Sequence, residues 1–180
     1  MRIKTLSCIS IFLILGGCIV KKKTTYSKKR TVTVESKEGD TLTTTSSRKK
    51  RINKRADNIV DKAMTYSGTR YKFGGTTKKG MDCSGLVYMA LKDNDIPFPR
   101  VSYQMANEGK RIKLKEVEKG DLLFFKTTKN GKRINHVGLV VDVDGDDIRF
   151  IHSTSSRGVI VSSLREGFWN HAFIKATRIL

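Results

Sequence analysis

Cysteine and proline are scarce in this 180-residue chain, and long apolar runs are absent. Three cysteines and two prolines are too few for a disulfide-stapled scaffold or a collagen-like repeat. No apolar stretch reaches the roughly 18 residues that a membrane-spanning helix needs. Acidic residues are also few, since 17 of them face 36 basic residues, for a formal charge of +19. Such an excess indicates an anionic neighbour, which composition alone does not identify.

The first 17 residues predict a lipoprotein signal peptide. Arg2 and Lys4 precede a short apolar segment at residues 6–15, as in an export signal. The sequence LGGC at 15–18 resembles the bacterial lipobox, in which cleavage before the cysteine leaves it to carry acyl chains such as palmitate. An ordinary secretory signal or an N-terminal anchor is the simpler alternative. We expect lipidation of Cys18 and a protein that is anchored to a membrane without spanning it.

Residues 18–55 predict a basic tether between the lipid and the folded part. In residues 19–54, 24 of 36 residues are Lys, Arg, Ser or Thr, and the apolar ones are too sparse to form a core. Residues 18–57 hold 13 basic and four acidic residues, so the charge excess is concentrated here. As a coil, this segment would have a root-mean-square span of roughly 30 to 35 Å, which would let a domain work at a distance from the membrane.

The remaining residues, 56–180, predict one α+β domain. Ile59, Val60, Ala63 and Met64 have the spacing of one helix face, and residues 86–91 repeat that spacing. Helices followed by an antiparallel meander indicate N-terminal helices packed on an antiparallel sheet. The strands are predicted from short apolar or β-branched segments between turn residues, at 121–125, 136–143, 148–152, 159–161 and 173–180.

Cys83 is the candidate nucleophile. Cys8 leaves with the signal and Cys18 takes the lipid, so Cys83 is the only free thiol of the predicted mature chain. Asp82 predicts the start of a helix, which puts Cys83 in its first turn. Free N–H groups and the positive dipole end at that position favour a thiolate, so we expect a lowered pKa for Cys83. The alternative is a buried cysteine that serves packing alone.

Two histidines flank a predicted hairpin turn. His136 opens one strand and His152 closes the next, with Asp144-Gly145 between them. A three-residue loop at 143–145, with Gly145 in the left-handed conformation, would place the two histidines opposite each other on one face of the sheet, with Cβ atoms roughly 5 Å apart. A two-residue loop at 144–145 would turn them to opposite faces. The first register supports a catalytic site.

Together these residues predict a thiol hydrolase, in which Cys83 attacks, His136 acts as the base and His152 fixes the tautomer of His136. His171 is interpreted as structural. No metal or other cofactor is predicted, because one free thiol and three scattered histidines lack the CxxC and HExxH spacings. A nucleic-acid binder is disfavoured, because the basic residues follow an export signal and have no aromatic residues among them for stacking on bases.

Seven sequence blocks resemble the NlpC-type cysteine peptidases of bacterial cell walls, and within them the lipoprotein murein endopeptidases of the Spr kind. The resemblance covers about residues 56–180 and implies a papain-like α+β fold. In chain order the blocks are YKFGG at 71–75, DCSGLV at 82–87, RVSYQ at 100–104, GDLLFF at 120–125, NHVGL at 135–139, FIHS at 150–153 and FW at 168–169.

The resemblance also implies roles for single residues. Cys83 would be the nucleophile, His136 the general base and His152 the third, polar residue. Tyr71 matches a tyrosine whose hydroxyl assists the oxyanion site, where the backbone N–H of Cys83 would be the other donor. Ser84 matches a position near the substrate.

The implied substrate is the stem peptide of peptidoglycan, cut next to diaminopimelate. The bond lies either within a stem or in a cross-link between stems, and the sequence leaves both open. We expect a monomer that is held by its lipid at the outer membrane and faces the periplasm. The alternative function is that of a non-catalytic wall-binding or scaffold lipoprotein.

Overall fold

The computed structural model describes residues 39–131 and 133–180 of the chain. The predicted signal peptide, the lipobox with Cys18 and the first part of the predicted tether lie outside these residues. In the described part, the helices are all too short or too polar to cross a lipid bilayer.

The first helix, α1, spans Gly39–Met64 and begins well before the point that the sequence predicts. Its later turns pack into the core through Ile59, Val60 and Ala63, as the apolar spacing indicates. The coil prediction is therefore wrong for residues 39–54. Once the packed turns have nucleated a helix, each further residue adds a backbone hydrogen bond, and the Lys and Arg residues here are good helix formers. The start of the functional domain at residue 56 stays a prediction.

Three shorter α-helices and eight strands follow α1. The helices are α2 (Cys83–Lys92), α3 (Ser102–Met105) and α4 (Gly167–Ala172), and Leu114–Glu116 forms one 3-10 turn. The strands are β1 (Thr76–Thr77), β2 (Gly80–Met81), β3 (Lys110–Ile112), β4 (Leu122–Phe125), β5 (His136–Asp144), β6 (Asp147–Thr154), β7 (Gly158–Ser163) and β8 (Phe173–Arg178).

Strands β3 to β8 form a six-stranded antiparallel sheet in the order β3-β8-β4-β5-β6-β7, whereas β1 and β2 form a separate two-stranded sheet. The predicted α+β architecture is confirmed, and the predicted meander is present in β4 to β7. Strand β8 does not continue it but inserts between β3 and β4. Turn residues predict which strands are neighbours in sequence, so they carry no signal for this crossover.

Side chains alternate across the sheet and divide the core into two clusters. One cluster packs with α1 and α2, and the other, on the opposite face, includes α4. Successive residues of a strand point to opposite faces, which explains why β4 contributes to both. On the helix face lie Leu122, Phe124, Val137, Leu139 and Ile151, and on the other face lie Leu123, Phe125, Val140, Phe150 and Trp169.

The turn between β5 and β6 differs from the predicted one. Asp144 pairs with Asp147, so the loop consists of the two residues Gly145 and Asp146 instead of three. Gly145 has a φ of +55°, and the prediction of a left-handed glycine here is confirmed. With this turn alone, the histidines on the two strands would point to opposite faces of the sheet.

A β-bulge in β5 reverses that outcome. The register shifts by one residue between Val140 and Asp142, so that Leu139 pairs with Ile151. One extra residue in a strand exchanges the faces of all residues beyond it. His136 and His152 therefore share a face, as predicted, although the cause is a bulge within the strand and not an odd-numbered loop.

Gly138 offers a test of the packing behind the histidine pair. A Cβ atom at this position would lie 2.4 Å from Cδ2 of Phe150, which is fully buried and cannot easily move. We expect Gly138→Ala to lower the free energy of unfolding by roughly 1 to 3 kcal/mol in urea titrations. The control is Gly167→Ala, because a Cβ there meets nothing within 4 Å and should change stability by only about 0.5 kcal/mol. Equal stability of the two variants would contradict the close packing of Gly138.

Candidate active site

Cys83 is the first residue of α2, and its predicted position in the first turn is confirmed. Asp82 caps the helix, since its Oδ1 accepts a hydrogen bond from the backbone N–H of Gly85 at 2.6 Å. The thiol is buried, and the backbone N–H of Val137 in β5 is near enough to its sulfur to lower the pKa of the thiol. The cap and the helix therefore bring the sulfur against the strand that begins with His136.

A polar network holds the loop around Asp82. Its Oδ2 accepts hydrogen bonds from the backbone N–H of Gly74 at 2.8 Å and from Nη2 of Arg100 at 3.0 Å. Arg100 also donates through Nη1 to Oγ of Ser84 at 2.8 Å. The sequence indicates Asp82 only as a cap, and the ion pair with Arg100 is not predicted because 18 residues of chain separate the two. Ser84 is thus oriented by the protein on one side of the thiol.

His136 and His152 are joined by a hydrogen bond of 2.9 Å between Nε2 of His136 and Nδ1 of His152. Their rings are nearly perpendicular, at 86°. His136 is 9% exposed and His152 is completely buried, so water does not compete strongly for this bond. Buried hydrogen bonds of this kind hold a ring in one orientation.

Two cavities meet at the thiol, one of about 520 Å³ and one of about 540 Å³. Tyr71, Cys83 and Asn135 line both of them, whereas His136 lines only the first. The first is mostly polar, and its other residues include Ser153, Ser155, Ser156, Arg157, Phe168 and Trp169. The second is more apolar, and its lining includes Phe73, Ser84, Arg100, Val101, Tyr103, Arg133 and Ile134.

The structure thus brings together the five candidate site residues of the domain, Tyr71, Cys83, Ser84, His136 and His152.

Tyr71 is partly exposed at the junction of the two cavities. Burial raises the pKa of its hydroxyl, as do the negative charges that Cys83 and Asp82 can carry. The hydroxyl of Tyr71 therefore stays protonated and can donate a hydrogen bond.

His171 lies exposed at the end of α4 and lines neither cavity. Asn135 and Trp169 line the first cavity, and sequence analysis gave neither of them a role.

Burial sets the protonation states at this site. It raises the pKa of the Cys83 thiol to about 11, and the nearby backbone N–H groups of Val137, Ser84 and Cys83 itself offset only part of the effect. The prediction of a lowered pKa for Cys83 is therefore wrong, because loss of hydration outweighs the helix terminus. Burial also lowers the pKa of His136 to about 4. At neutral pH the resting pair is a neutral thiol beside a neutral imidazole.

His152 is neutral for related reasons. Its pKa lies well below the ordinary value, first because the ring is buried and then because positive charge on His136 or Arg157 would repel a proton on His152.

Among the residues that the structure describes, no group of three or more His, Cys, Asp or Glu side chains is arranged to hold a metal ion.

Comparisons with known proteins give matches to one family. The sequence model of the NlpC/P60 family matches residues 68–178. The murein DD-endopeptidase MepS/murein LD-carboxypeptidase of Escherichia coli strain K12 is 35% identical over 123 residues, which cover 68% of this chain and 62% of that protein. The probable endopeptidase NlpC of the same strain is 40% identical over 122 residues, which cover 67% of this chain and 76% of that protein.

A solved structure supports the same grouping. The crystal structure of an NlpC/P60 family protein from Bacillus cereus superposes with a TM-score of 0.63 at 28% sequence identity. The match covers 69% of this chain and 40% of the other chain. The fold implied by the sequence resemblance is confirmed. This chain spans about 62% of the length of MepS.

The neutral histidines predict that stability depends on pH. His136 has a pKa of about 4 in the fold against 6.5 for an ordinary histidine, so the unfolded chain binds more protons between these values. The free energy of unfolding should therefore rise from pH 4 to pH 7, by about 3 kcal/mol from His136 alone. Urea titrations across this range measure the slope, which should be shallower in His136→Asn and unchanged in Gly167→Ala, which removes no titratable group. A slope that is the same in all three proteins would contradict a neutral, buried His136.

The raised pKa of Cys83 predicts slow alkylation at neutral pH. Only the thiolate reacts with iodoacetamide, so the rate constant should keep rising beyond pH 10, given a pKa of about 11. Mass spectrometry of the peptide that carries Cys83 follows this residue separately from the other cysteines. The same peptide in urea is the control and should level off nearer the ordinary thiol pKa of about 8.5. A plateau of the folded protein near pH 7 would instead reveal a resting thiolate paired with an imidazolium.

Proposed function

This chain belongs to the NlpC/P60 family, and on that premise we propose that it is a cysteine-type endopeptidase that cleaves the stem peptides of peptidoglycan. The observation that carries the proposal is the buried hydrogen bond between His136 and His152 next to a cavity that Cys83 also lines. A nucleophile, a base and a group that orients the base are the three parts that thiol hydrolysis needs. One relative is named as a murein endopeptidase and another as a probable endopeptidase, and both names support the same reaction class.

The first step is attack of the Cys83 sulfur on a peptide carbonyl. When Nε2 of His136 is engaged by His152, Nδ1 is the ring nitrogen left to accept the thiol proton. Because the resting pair is neutral, the proton moves to His136 as the carbon–sulfur bond forms. The electron pair of the carbonyl π bond moves to oxygen, which becomes an oxyanion.

The oxyanion needs donors that are already in place. The backbone N–H of Cys83 at the start of α2 is one, and the hydroxyl of Tyr71 at the junction of the cavities is the other. Donors fixed before the reaction stabilise the developing charge without reorganising. The burial that raises the pKa of Tyr71 keeps this hydroxyl protonated at neutral pH.

The second half of the reaction returns the enzyme to its starting state. His136 gives its proton to the leaving nitrogen, the carbon–nitrogen bond breaks, and the acyl group remains on Cys83 as a thioester. Water then attacks the thioester, with His136 taking a proton from it. The product carboxylic acid leaves, and the proton returns from His136 to the sulfur.

The two cavities suit a peptide that extends on both sides of the thiol. We propose a bond next to diaminopimelate, either the one from D-glutamate within a stem or a cross-link between stems. Hydroxyls and Arg157 line one cavity, and they provide donors for the carboxylates that stem peptides carry. Ser84 lines the second cavity, and we propose that it contacts the other part of the substrate.

The place of action follows from the predicted lipid. We propose that Cys18 is acylated and holds the protein, as a monomer, at the outer membrane on the periplasmic side. The charge excess of the segment that follows Cys18 is compatible with anionic headgroups at a membrane surface. In this arrangement the domain reaches the peptidoglycan layer from the membrane.

Digestion of purified peptidoglycan tests the proposed function. We expect the full-length chain to create new stem-peptide termini, detected after the glycan is digested with a muramidase, and Cys83→Ala to create at least about 1,000-fold fewer, since removal of a catalytic nucleophile costs this much or more. His171→Ala is the matched control and should keep its activity, because His171 lines neither cavity. Mass spectrometry of the new termini identifies the bond that is cut.

Two results would contradict the proposal. Equal product from the unchanged chain and from Cys83→Ala would exclude Cys83 as the nucleophile. Binding of the unchanged chain to peptidoglycan without any new termini would instead indicate the alternative, a wall-binding or scaffold protein.

A further inference from the structure

Trp169 contacts both histidines of the candidate site. Its indole is stacked on His136 with ring centroids 5.1 Å apart and an angle of 26° between the planes. The same indole meets His152 edge to face, at 4.4 Å and 81°. Trp169 is 6% exposed and comes from α4, so an element remote in sequence from both histidines holds the two rings.

The position of Trp169 is itself fixed by other aromatic rings. It packs edge to face against Phe125 at 5.2 Å, against Phe150 at 5.6 Å and against the neighbouring Phe168 at 4.8 Å. Perpendicular packing of this kind is the favoured arrangement of aromatic rings and adds to the energy of burial. These contacts fix the position of the indole, so the indole constrains the two histidine rings.

His152 has one ring nitrogen without a partner. Its Nδ1 is used by His136, whereas Nε2 is buried and has no hydrogen-bond partner among the residues that the structure describes. The aromatic neighbours of the ring are Phe150, at 4.7 Å between centroids, and Trp169. An aromatic face accepts an N–H weakly but repels a lone pair, because the face is electron-rich. These surroundings favour the tautomer of His152 that carries its proton on Nε2.

The tautomer of His152 determines the tautomer of His136. With its proton on Nε2, His152 has a lone pair on Nδ1 and can only accept there. His136 must then donate from its own Nε2, so its Nδ1 carries the lone pair. This lone pair is what a base for Cys83 needs. Stacking on the indole also favours the positive charge that His136 gains when it takes the thiol proton.

We propose that Trp169 is a positioning residue of the proposed hydrolase, one that fixes the ring of His136 and selects, through His152, the tautomer in which His136 can act as a base. The inference rests on the proposed function for its kinetic consequence. Its structural part, the tautomer, can be measured without any substrate. Failure of the tautomer proposal is thus distinguishable from failure of the proposed function.

Two substitutions of Trp169 distinguish the effect of its aromatic face from the effect of apolar packing. Trp169→Phe keeps a ring, and Trp169→Leu keeps an apolar side chain but removes the ring. We expect Trp169→Phe to keep kcat within about 3-fold and Trp169→Leu to lose about 10-fold or more in kcat with little change in KM. Rates are compared well below the unfolding temperature of each variant, so that loss of folded protein does not contribute.

Nitrogen NMR reads the tautomer directly. Long-range proton–nitrogen spectra of the chain labelled with 15N-histidine should show His136 and His152 protonated on Nε2 in the unchanged chain and in Trp169→Phe. In Trp169→Leu, both rings should shift toward a mixture of tautomers. His171, which is exposed, serves as the internal reference and should look the same in all three.

A second variant covers the case in which Trp169→Leu does not fold. Trp169 is the only tryptophan of the chain, so growth on tetrafluorotryptophan changes this residue alone and weakens the negative face of the ring without altering its outline. We expect kcat to fall a few-fold with KM retained. Unchanged kcat in the fluorinated protein would overturn the proposal, and so would a single Nε2-protonated form of both histidines in folded Trp169→Leu. Absence of hydrolysis in the unchanged chain would count against the proposed function and leave the NMR test intact.

Discussion

The candidate site depends on one buried hydrogen bond, between His136 and His152. A bond of this kind in solution would exchange with water and leave the base free to rotate. Here His152 is completely buried and offers His136 a single partner, so the ring of His136 has one orientation. The bulge in β5 and the close packing of Gly138 against Phe150 both serve this geometry. The aromatic rings around Trp169 add to the burial of both histidines.

Burial of Cys83 and His136 also determines their charge. Loss of hydration disfavours charge on both partners, which is why the pKa of Cys83 is raised and that of His136 is lowered. A resting thiolate would be more nucleophilic, but it would also be more open to oxidation. A neutral pair delays charge separation until a carbonyl is in place to accept the sulfur. The donors proposed for the oxyanion then stabilise the charge at the moment when it forms.

Local signals in the sequence predict much of this, and long-range packing accounts for what they miss. The cap at Asp82 and the order of Cys83, His136 and His152 on a helix and two strands follow from spacing alone. The bulge does not, because β5 reads as a continuous strand and the turn signal favours either of two loops. The extension of α1, the insertion of β8 and the part played by Trp169 depend on contacts between distant segments. The sign of the Cys83 pKa shift was predicted wrongly for the same reason, since the extent of burial is a property of the whole fold.

Trapping the covalent intermediate is the most direct test of the account. Rapid mixing of the full-length chain with soluble stem peptides, followed by an acid quench, should give a protein whose mass is increased by one acyl fragment. Peptide mapping should place that fragment on Cys83 as a thioester, and His136→Asn should show no such adduct on the same timescale. Peptide cleavage that proceeds with no acyl group on Cys83, under conditions in which a thioester is stable, would contradict a mechanism based on this thiol.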